Sequence, residues 1–368
     1  MTGPRVAIVH ERFTELGGSE FVVEQLARQW PEATVHAAIV RDQGLPPGLR
    51  DRVAESWLGV PYRWSGHPPY APFLPLLPSA FRHLAVGDPD VVIVSHHAFA
   101  TQVVHATSAP VVAYVHSPAR WAWDASLRVG EAGGRAGAVA LSLLSARTRR
   151  DERSAAGRLH KVIANSSAVS QRIQCWWGRS AEVVHPPVDT EFFTPDSAVD
   201  KEDFFLLAGR LVPYKRPDLA VRAAREAGVR LVVAGEGRFL DRCRELAGRQ
   251  TIFLGRVSDQ RLRDLHRRSR ALLMPGLEDF GIVPVEAMAC GTPVIALGGG
   301  GALDTVVPGV SGVLVPIGDD EMVVEGFVRE LRSHQLDELS PRSLRSHAET
   351  FSRASFRQRM RSIVALVP

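Results

Sequence analysis

Cysteine is scarce in this chain, which contains Cys175, Cys243 and Cys290 among 368 residues. No two of them stand at the C-x-x-C spacing of zinc sites and redox-active pairs. The sequence therefore indicates neither a zinc site nor a disulfide framework. Three inert thiols are typical of a protein in a reducing cytosol.

Long apolar runs and basic runs interleaved with aromatics are also missing. No stretch reaches the ~18 apolar residues of a membrane-spanning helix, and the start MTGPRVAIVHERF lacks the apolar core of a secretory signal. Without a stacking platform, nucleic acid is not predicted as a partner. The net charge of +4 suits an anionic ligand or an anionic membrane surface. We expect a cytoplasmic protein, with any membrane contact peripheral and on the cytosolic face.

Short apolar runs rich in β-branched residues recur along the whole chain. Because they are continuous rather than alternating, they are typical of parallel strands covered on both faces. At roughly 100–200 residues per domain, the length suggests two domains. We predict strands over residues 5–10, 91–95, 111–116, 161–164, 204–209, 231–235, 251–255, 271–274 and 293–297.

Helical patterns lie between these strands, over residues 19–30, 217–227 and 260–270, from residue 135, and over 352–366. Strand and helix alternating twice over predicts an α/β protein with two doubly wound parallel sheets. Prolines at 186–187 and a polar stretch at 194–203 predict a hinge over residues 186–203. The many prolines between residues 40 and 80 predict irregular loops.

The segment from Pro275 to Ala296, PGLEDFGIVPVEAMACGTPVIA, carries two glutamates eight positions apart. Glu278 precedes a predicted helix and Glu286 lies on its first turns. Carboxylates are charged acceptors and bind the vicinal hydroxyls of a sugar or a ribose well. A glutamate near a helix start also commonly only compensates the helix dipole.

The same segment contains a candidate anion site. Pro284 stands where a helix can begin, and backbone amides near Ile282 and Val283 would point at a diphosphate. Gly281 permits a close approach of the backbone to a ligand. The later run 298–301, GGGG, is unspecific and reads as a flexible loop.

A pair of cations follows the first strand of the second half, in AGRLVPYKRPDLA. Arg210 ends that strand and Lys215 lies five residues further on. Ligands of open parallel sheets bind at this edge, where two cations can neutralise a diphosphate leaving group without a metal. The alternative is a solvated basic loop.

Two features mark the first half. Gly17 and Gly18 lie between the first strand and a helix, with Ser19 as a candidate N-cap. His116 ends the strand of YVHSPARWAWD, where its ring can donate to a sugar hydroxyl or to a developing charge. A lone histidine more often has a structural role.

Further residues of the first half stay open between function and structure. The basic segment 147–153 fits a solvated helix face better than a lipid-docking one. The adjacent His96 and His97 point to different sides and make a poor metal pair, and Asp88 and Asp90 read as a turn. An acceptor site or a core position is open for Arg120, Trp121, Trp123 and Asp124.

The string E-x7-E enclosing FGI and followed by EAMACGTPVIA closely resembles the donor-site signature of the family 4 retaining glycosyltransferases. The resemblance extends from the Gly17-Gly18 loop to the terminal helix. It implies a GT-B fold, with two Rossmann-like domains facing an interdomain cleft. The domains would comprise residues 1–187, for the acceptor, and 188–351, for the nucleotide sugar, with a helix in 352–368 packing back on the first domain.

The resemblance also assigns residues. It implies catalytic roles for His116, Arg210, Lys215 and Glu278, with His116 facing the transferred sugar. Acceptor contacts would come from Arg120, Trp121, Trp123 and Asp124. The implied donor-binding set is Gly17, Gly18, Arg210, Lys215, Val257, Glu278, Phe280, Gly281, Ile282, Val283 and Glu286.

The implied reaction is retaining transfer of a hexosyl group from a nucleotide diphosphate sugar. The YVHSPARWAWD block favours GDP-mannose, with a UDP-sugar as the alternative. The acceptor is a saccharide, a lipid-linked saccharide or a small molecule. No obligatory cofactor and no metal are expected, since no D-x-D pair stands in a metal-binding context.

Other classes remain as alternatives. A GT-B nucleotide-sugar epimerase would need no acceptor, and a phosphorylase would carry pyridoxal phosphate. A non-catalytic partner subunit would bind nucleotide only. Because the residue set Arg210, Lys215, Glu278 and Glu286 is intact, we favour the transferase.

Overall fold

The structure, a computed structural model, describes residues 4–66, 70–125 and 134–367. It divides into two compact units. The N-terminal unit comprises Met1–Pro186 and Phe356–Pro368, and the C-terminal unit comprises Pro187–Ser355. The chain therefore returns to the first unit after completing the second.

The N-terminal unit is built on a seven-stranded parallel sheet in the order β3-β2-β1-β4-β5-β6-β7. The order reverses between β1 and β4, which is where open α/β sheets bind ligands. The strands are β1 Val6–His10, β2 Thr34–Ala37, β3 Val53–Glu55, β4 Val91–His96, β5 Val111–Val115, β6 Lys161–Ala164 and β7 Glu182–Val183.

Helices accompany this sheet, and buried apolar clusters cover both its faces. The last helix of the chain contributes Phe356, Met360, Ile363 and Val364 to the cluster that also holds Ile8 and Val22. The helices are α1 Gly18–Gln29, α2 Gly59–Trp64, α3 Leu77–Arg82, α4 Arg120–Trp123, α5 Arg135–Ala156, α6 Ser167–Trp177 and the terminal α14 Arg353–Val364.

The C-terminal unit holds a six-stranded parallel sheet in the order β10-β9-β8-β11-β12-β13, again with a core on each face. Its strands are β8 Phe205–Ala208, β9 Leu231–Ala234, β10 Thr251–Gly255, β11 Leu272–Met274, β12 Val294–Leu297 and β13 Gly312–Val315. Its helices are α7 Pro217–Ala227, α8 Leu240–Leu246, α9 Asp259–Arg268, α10 Ile282–Ala289, α11 Ala302–Thr305, α12 Asp320–Arg332 and α13 Pro341–Glu349.

The prediction of irregular loops between residues 40 and 80 is wrong for much of that segment. It contains β3, α2 and α3, together with 3-10 turns at Asp42–Gly44, Pro47–Leu49 and Ala71–Leu76, while residues 67–69 lie outside the described residues. Several of its prolines stand in the first turn of these elements. A proline is tolerated there because the missing N–H has no helical partner in any case.

Candidate active site

Lys215 closes a 3-10 turn that follows β8 at the carboxyl edge of the second sheet. Its Nζ lies 2.9 Å from Oε1 of Glu278, and the two side chains are only 17% and 22% exposed. Glu278 lies in the loop between β11 and α10. The fold thus joins two of the predicted site residues in an ion pair that is largely shielded from solvent.

Arg210 follows β8 on the same loop and is exposed. Its Nη2 donates to the hydroxyl of Tyr214 at 3.3 Å. Arg210, Lys215, Glu278 and Val283 line one pocket at this sheet edge. The pocket therefore presents two cations and one carboxylate to a ligand.

Helix α10 begins beside the pocket with Gly281 as its N-cap. Gly281 has φ +89°, a left-handed conformation that a side chain disfavours. Among the described residues, no side chain caps this helix start. The first amides of the helix, at Ile282 and Val283, lack intrahelical partners and are suited to an anion.

Glu286, on the second turn of α10, has an unusual carboxyl group. Burial, followed by the nearby carboxylates of Asp259 and Asp189, raises its pKa to about 8, against the opposing charge of Lys215. The group is therefore largely protonated at neutral pH. A protonated carboxyl both donates and accepts a hydrogen bond, which matches a vicinal diol.

The glycine run after β12 is packed rather than free, which corrects its interpretation as a flexible loop. The Gly301 amide donates to the Glu278 carbonyl at 2.9 Å. A Cβ at Gly300 would lie 2.4 Å from that carbonyl oxygen, and one at Gly301 would lie 2.3 Å from Phe280. The run supports the loop that carries Glu278.

Three further glycines shape the pocket, and the sequence analysis missed their role. A Cβ at Gly276 would lie 2.6 Å from the backbone of Lys215, and those at Gly235 and Gly237 would meet the carbonyls of Gly209 and Leu211 at 1.9 and 2.2 Å. Their sequence signal is a glycine within three residues of the end of a strand. They allow the backbone near the two cations to pack closely.

Two members of the predicted donor set face the core. The side chain of Phe280 is 3% exposed, with its ring 5.7 Å from that of Phe351. The ring therefore packs in the core, and the place of Phe280 in the donor-binding set stays a prediction. Val257 is half-buried against the same apolar cluster.

In the N-terminal unit, the glycine loop leads directly into α1. Gly17 is the N-cap and α1 begins at Gly18, so the prediction of Ser19 as N-cap is wrong. The hydroxyl of Ser19 instead donates to Oε2 of Glu20 at 2.9 Å. Both glycines are partly exposed.

His116 follows β5 and belongs to a chain of buried polar groups. Its Nε2 lies 2.8 Å from the Ser95 hydroxyl, which lies 3.0 Å from Nδ1 of His10. Nε2 of His10 lies 3.3 Å from Oε1 of Glu20. Burial, then the neighbouring His10, lowers the pKa of His116 to about 3. His116 is therefore a neutral imidazole.

The predicted acceptor residues follow His116 in and around α4, and the structure gives Trp123 a structural role. Its Nε1 donates to the buried carboxylate of Glu152, and its ring stacks on Trp176 at 5.5 Å. Trp121 is half-buried against the core, and Arg120 and Asp124 are also partly exposed.

Glu152 organises this region, although nothing in the sequence singled it out. It is 1% exposed and accepts from the Ala119 amide at 2.9 Å and from Trp177 Nε1 at 3.3 Å, besides Trp123. His96 Nε2 also lies 3.1 Å from it. Glu152 thereby fixes the loop after His116 against α5.

Arginines of the basic segment 147–153 contact other residues of the N-terminal unit. Arg149 donates to the Ala122 carbonyl, Arg153 donates to the Trp176 carbonyl and Arg147 lies 3.7 Å from Asp151. Across the described ranges, no helix has the length and hydropathy needed to cross a bilayer. Within those ranges no cluster of three potential metal ligands is found.

Two family models match the chain. "Glycosyltransferase Family 4" matches residues 16–192, and "Glycosyl transferases group 1" matches residues 189–341. The D-inositol 3-phosphate glycosyltransferase of Mycobacteroides abscessus is 40% identical over 157 residues, which are 37% of this chain and 35% of the relative. The chain thus spans about a third of that relative's length.

Solved structures share the architecture. HepE of Anabaena, crystallised in complex with UDP, superposes with a TM-score of 0.73 at 18% identity, over 98% of this chain and 99% of its own. Sucrose-phosphate synthase of Thermosynechococcus elongatus gives a TM-score of 0.74 at 18% identity, over 98% of each chain. At this identity the likeness establishes the fold, which is GT-B. With both of its halves matched by the family models, the chain belongs to the family 4 glycosyltransferases.

Proposed function

We propose that the protein is a retaining hexosyltransferase that takes its sugar from a nucleotide diphosphate donor. The donor binds at the pocket of the C-terminal unit, and the N-terminal unit supplies the acceptor site. The observation that carries this proposal is the shielded ion pair of Lys215 and Glu278 beside the uncapped start of α10.

The diphosphate is held by positive charge from three sources. Lys215 and Arg210 supply two cations, and the amides of Ile282 and Val283 supply the positive end of α10. Negative charge develops on the diphosphate as the glycosidic bond breaks, and these fixed groups stabilise it. We therefore expect activity to persist in the presence of a chelator, and its strict loss would contradict this role.

Glu278 and Glu286 bind the hydroxyl groups of the donor. Glu278 accepts from hydroxyls of the sugar after Lys215 turns to the diphosphate. Glu286, protonated at neutral pH, offers both a donor and an acceptor to the ribose diol. Since Glu278 binds sugar hydroxyls, we assign no covalent nucleophile. The acceptor attacks on the face that the diphosphate leaves, and the departing phosphate takes its proton.

The preferred donor is GDP-mannose, as the block around His116 suggests, with UDP-glucose as its competitor. The acceptor is a polyol or saccharide. Two similarities support including a uridine nucleotide sugar and a cyclitol acceptor in the test: HepE was crystallised with UDP, and a curated relative is named a D-inositol 3-phosphate glycosyltransferase.

The test incubates the protein with GDP-mannose or UDP-glucose and a panel of acceptors that includes D-inositol 3-phosphate. Proton NMR then reports the anomeric configuration of the product. We expect an α-linked product, since both donors are α-anomers. A β-linked product or a trapped glycosyl-enzyme adduct would contradict the mechanism. Conversion of the donor to an epimeric sugar nucleotide without any acceptor would favour an epimerase instead.

A further inference from the structure

Four buried polar side chains form a continuous hydrogen-bonded chain in the N-terminal unit. They lie where β1, β4 and β5 end, at the carboxyl edge of the sheet. His10 and Ser95 face each other in the register of β1 and β4 and are fully buried. Glu20 lies on the first turn of α1, and His116 follows β5. The chain runs Glu20, His10, Ser95, His116.

The carboxylate of Glu20, at one end of the chain, determines which atom of each hydrogen bond carries the hydrogen. Burial raises the pKa of Glu20, but the hydrogen bond from His10, the charge of that ring when it is protonated, the backbone amide of Glu20 and the Ser19 hydroxyl together hold this pKa below its usual value. Glu20 is therefore ionised and can only accept. Nε2 of His10 must therefore carry the hydrogen that it shares with Glu20. When His10 is neutral, its Nδ1 is a bare acceptor for the Ser95 hydroxyl.

The Ser95 hydroxyl links the two histidines, and because it has one proton it can donate to only one of them. If that proton points at Nδ1 of His10, the Ser95 oxygen can only accept from His116. Nε2 of His116 then carries a hydrogen, over the 2.8 Å contact. Since the ring of His116 is neutral, its Nδ1 is left with a lone pair.

The orientation of His116 is also fixed by packing. His97 stacks on its ring at 4.5 Å with an interplanar angle of 13°, and the Tyr114 ring meets it edge-on at 5.2 Å. Among the described residues, none makes a hydrogen bond to Nδ1 of His116. With His97 stacked on the ring, Tyr114 in edge contact and Nε2 bonded to Ser95, Nδ1 is the one polar atom of the ring left for a ligand.

We propose that Glu20, His10 and Ser95 are positioning residues that hold His116 as its Nε2–H tautomer, so that Nδ1 accepts a hydrogen bond from a hydroxyl of the sugar ligand. This inference rests on the proposed function and specifies its chemistry. It differs from the expectation that His116 donates to a hydroxyl or to a developing charge. A lone pair at Nδ1 selects a hydroxyl and repels a phosphate oxygen.

The test is the nitrogen NMR spectrum of the full-length protein labelled with ¹⁵N-histidine, without donor, at pH 8. At this pH histidines of ordinary basicity are neutral. The His116 signals are assigned by their loss in His116→Gln. We expect Nε2 to carry the hydrogen and Nδ1 to be bare. The opposite tautomer would overturn the inference.

Two variants test the role of Ser95. Ser95→Ala removes the only proton that links the two rings, so the single tautomer is replaced by a mixture and kcat/KM falls about tenfold, the cost of one neutral hydrogen bond. Ser95→Thr keeps the hydroxyl and retains the tautomer. An unchanged tautomer in Ser95→Ala would remove Ser95 from the chain.

A failure of the tautomer inference can be distinguished from a failure of the proposed function. The tautomer is measured without any donor, and sugar transfer is measured separately. Transfer together with a hydrogen on Nδ1 would defeat the inference alone. The expected tautomer in a protein that transfers no sugar would defeat the function alone.

Discussion

At the scale of single residues, the candidate site contains an ion pair whose two members we expect to separate and bind different parts of the donor. Lys215 and Glu278 satisfy each other's charge at 2.9 Å while mostly shielded from solvent. A diphosphate offers Lys215 a stronger anionic partner, and sugar hydroxyls offer Glu278 neutral donors. The ion pair therefore gives each group a partner before the donor arrives, and limits the cost of burying either charge.

Glu286 makes stability depend on pH. Its pKa is about 8 in the folded protein and ordinarily 4.5, so between these values the folded chain holds a proton that the unfolded chain has lost. The stability that this group contributes is full below pH 4.5 and is lost as the pH rises to 8. We expect Glu286→Gln to stabilise the protein at pH 8 by on the order of 4 kcal/mol, and by little near pH 4.5.

Urea unfolding of both proteins at pH 5 and pH 8 measures this difference. Glu338→Gln, at an exposed glutamate of the same unit, is the matched control and should leave stability unchanged at both values. A stability gain for Glu286→Gln that is equal at pH 5 and pH 8 would show that the carboxyl is not held protonated.

The sequence predicted some site residues and missed others for a physical reason. Lys215 and Glu278 follow strands in recognisable blocks, so their convergence at one sheet edge was predictable. The contact between His10 and Ser95 depends on the register of β1 with β4, across 85 positions. No local pattern encodes that register, so the chain leading to His116 was not found.

At the scale of elements, the loop between β11 and α10 depends on the glycine run after β12. Gly301 has an ordinary right-handed conformation as the N-cap of α11, φ −68°, so space alone requires glycine there. Because the run touches the backbone of Glu278 and Phe280 directly, it sets the position of the Glu278 carboxylate relative to Lys215.

Gly301→Ala tests this support. Its Cβ would lie 2.3 Å from Phe280, so the loop must move, and we expect nucleotide affinity to fall at least about tenfold together with a lower melting temperature. Calorimetric titration with the preferred nucleoside diphosphate measures the loss. Gly248→Ala is the control, because its Cβ would first meet the Arg225 side chain, at 3.0 Å, and the nearest backbone atom, Cα of Arg225, lies at 3.4 Å, an ordinary contact distance. Equal affinity in the two variants would contradict the role of the run.

Element prediction succeeded where a strand is a continuous apolar run and failed where polar residues or glycine interrupt it. The continuous apolar runs of β1, β4 and β12 are visible in the sequence. β2, β3 and β13 have three or four residues and include Thr34, Glu55 and Gly312. They pair because a neighbouring strand already exists, which their own composition does not reveal.

At the scale of the whole molecule, the chain builds two separate parallel sheets and then returns to the first. Helix α14 supplies Phe356 and Met360 to the core of the N-terminal unit. An amphipathic helix in the last residues was predictable, but its destination came from the resemblance to family 4 and not from any local pattern. The division of roles between the units remains a prediction.

The central claim is that the C-terminal unit binds a nucleoside diphosphate through Lys215. Isothermal titration of the full chain with GDP and UDP tests it most directly, with Lys215→Ala as the variant. Arg249→Ala, which removes an exposed cation from the loop before β10, is the control for net charge. We predict that one of the two nucleotides binds. Lys215→Ala should lower the affinity for that nucleotide by about tenfold or more, and Arg249→Ala should leave it unchanged. Equal binding by all three proteins, or binding of neither nucleotide, would contradict the central claim.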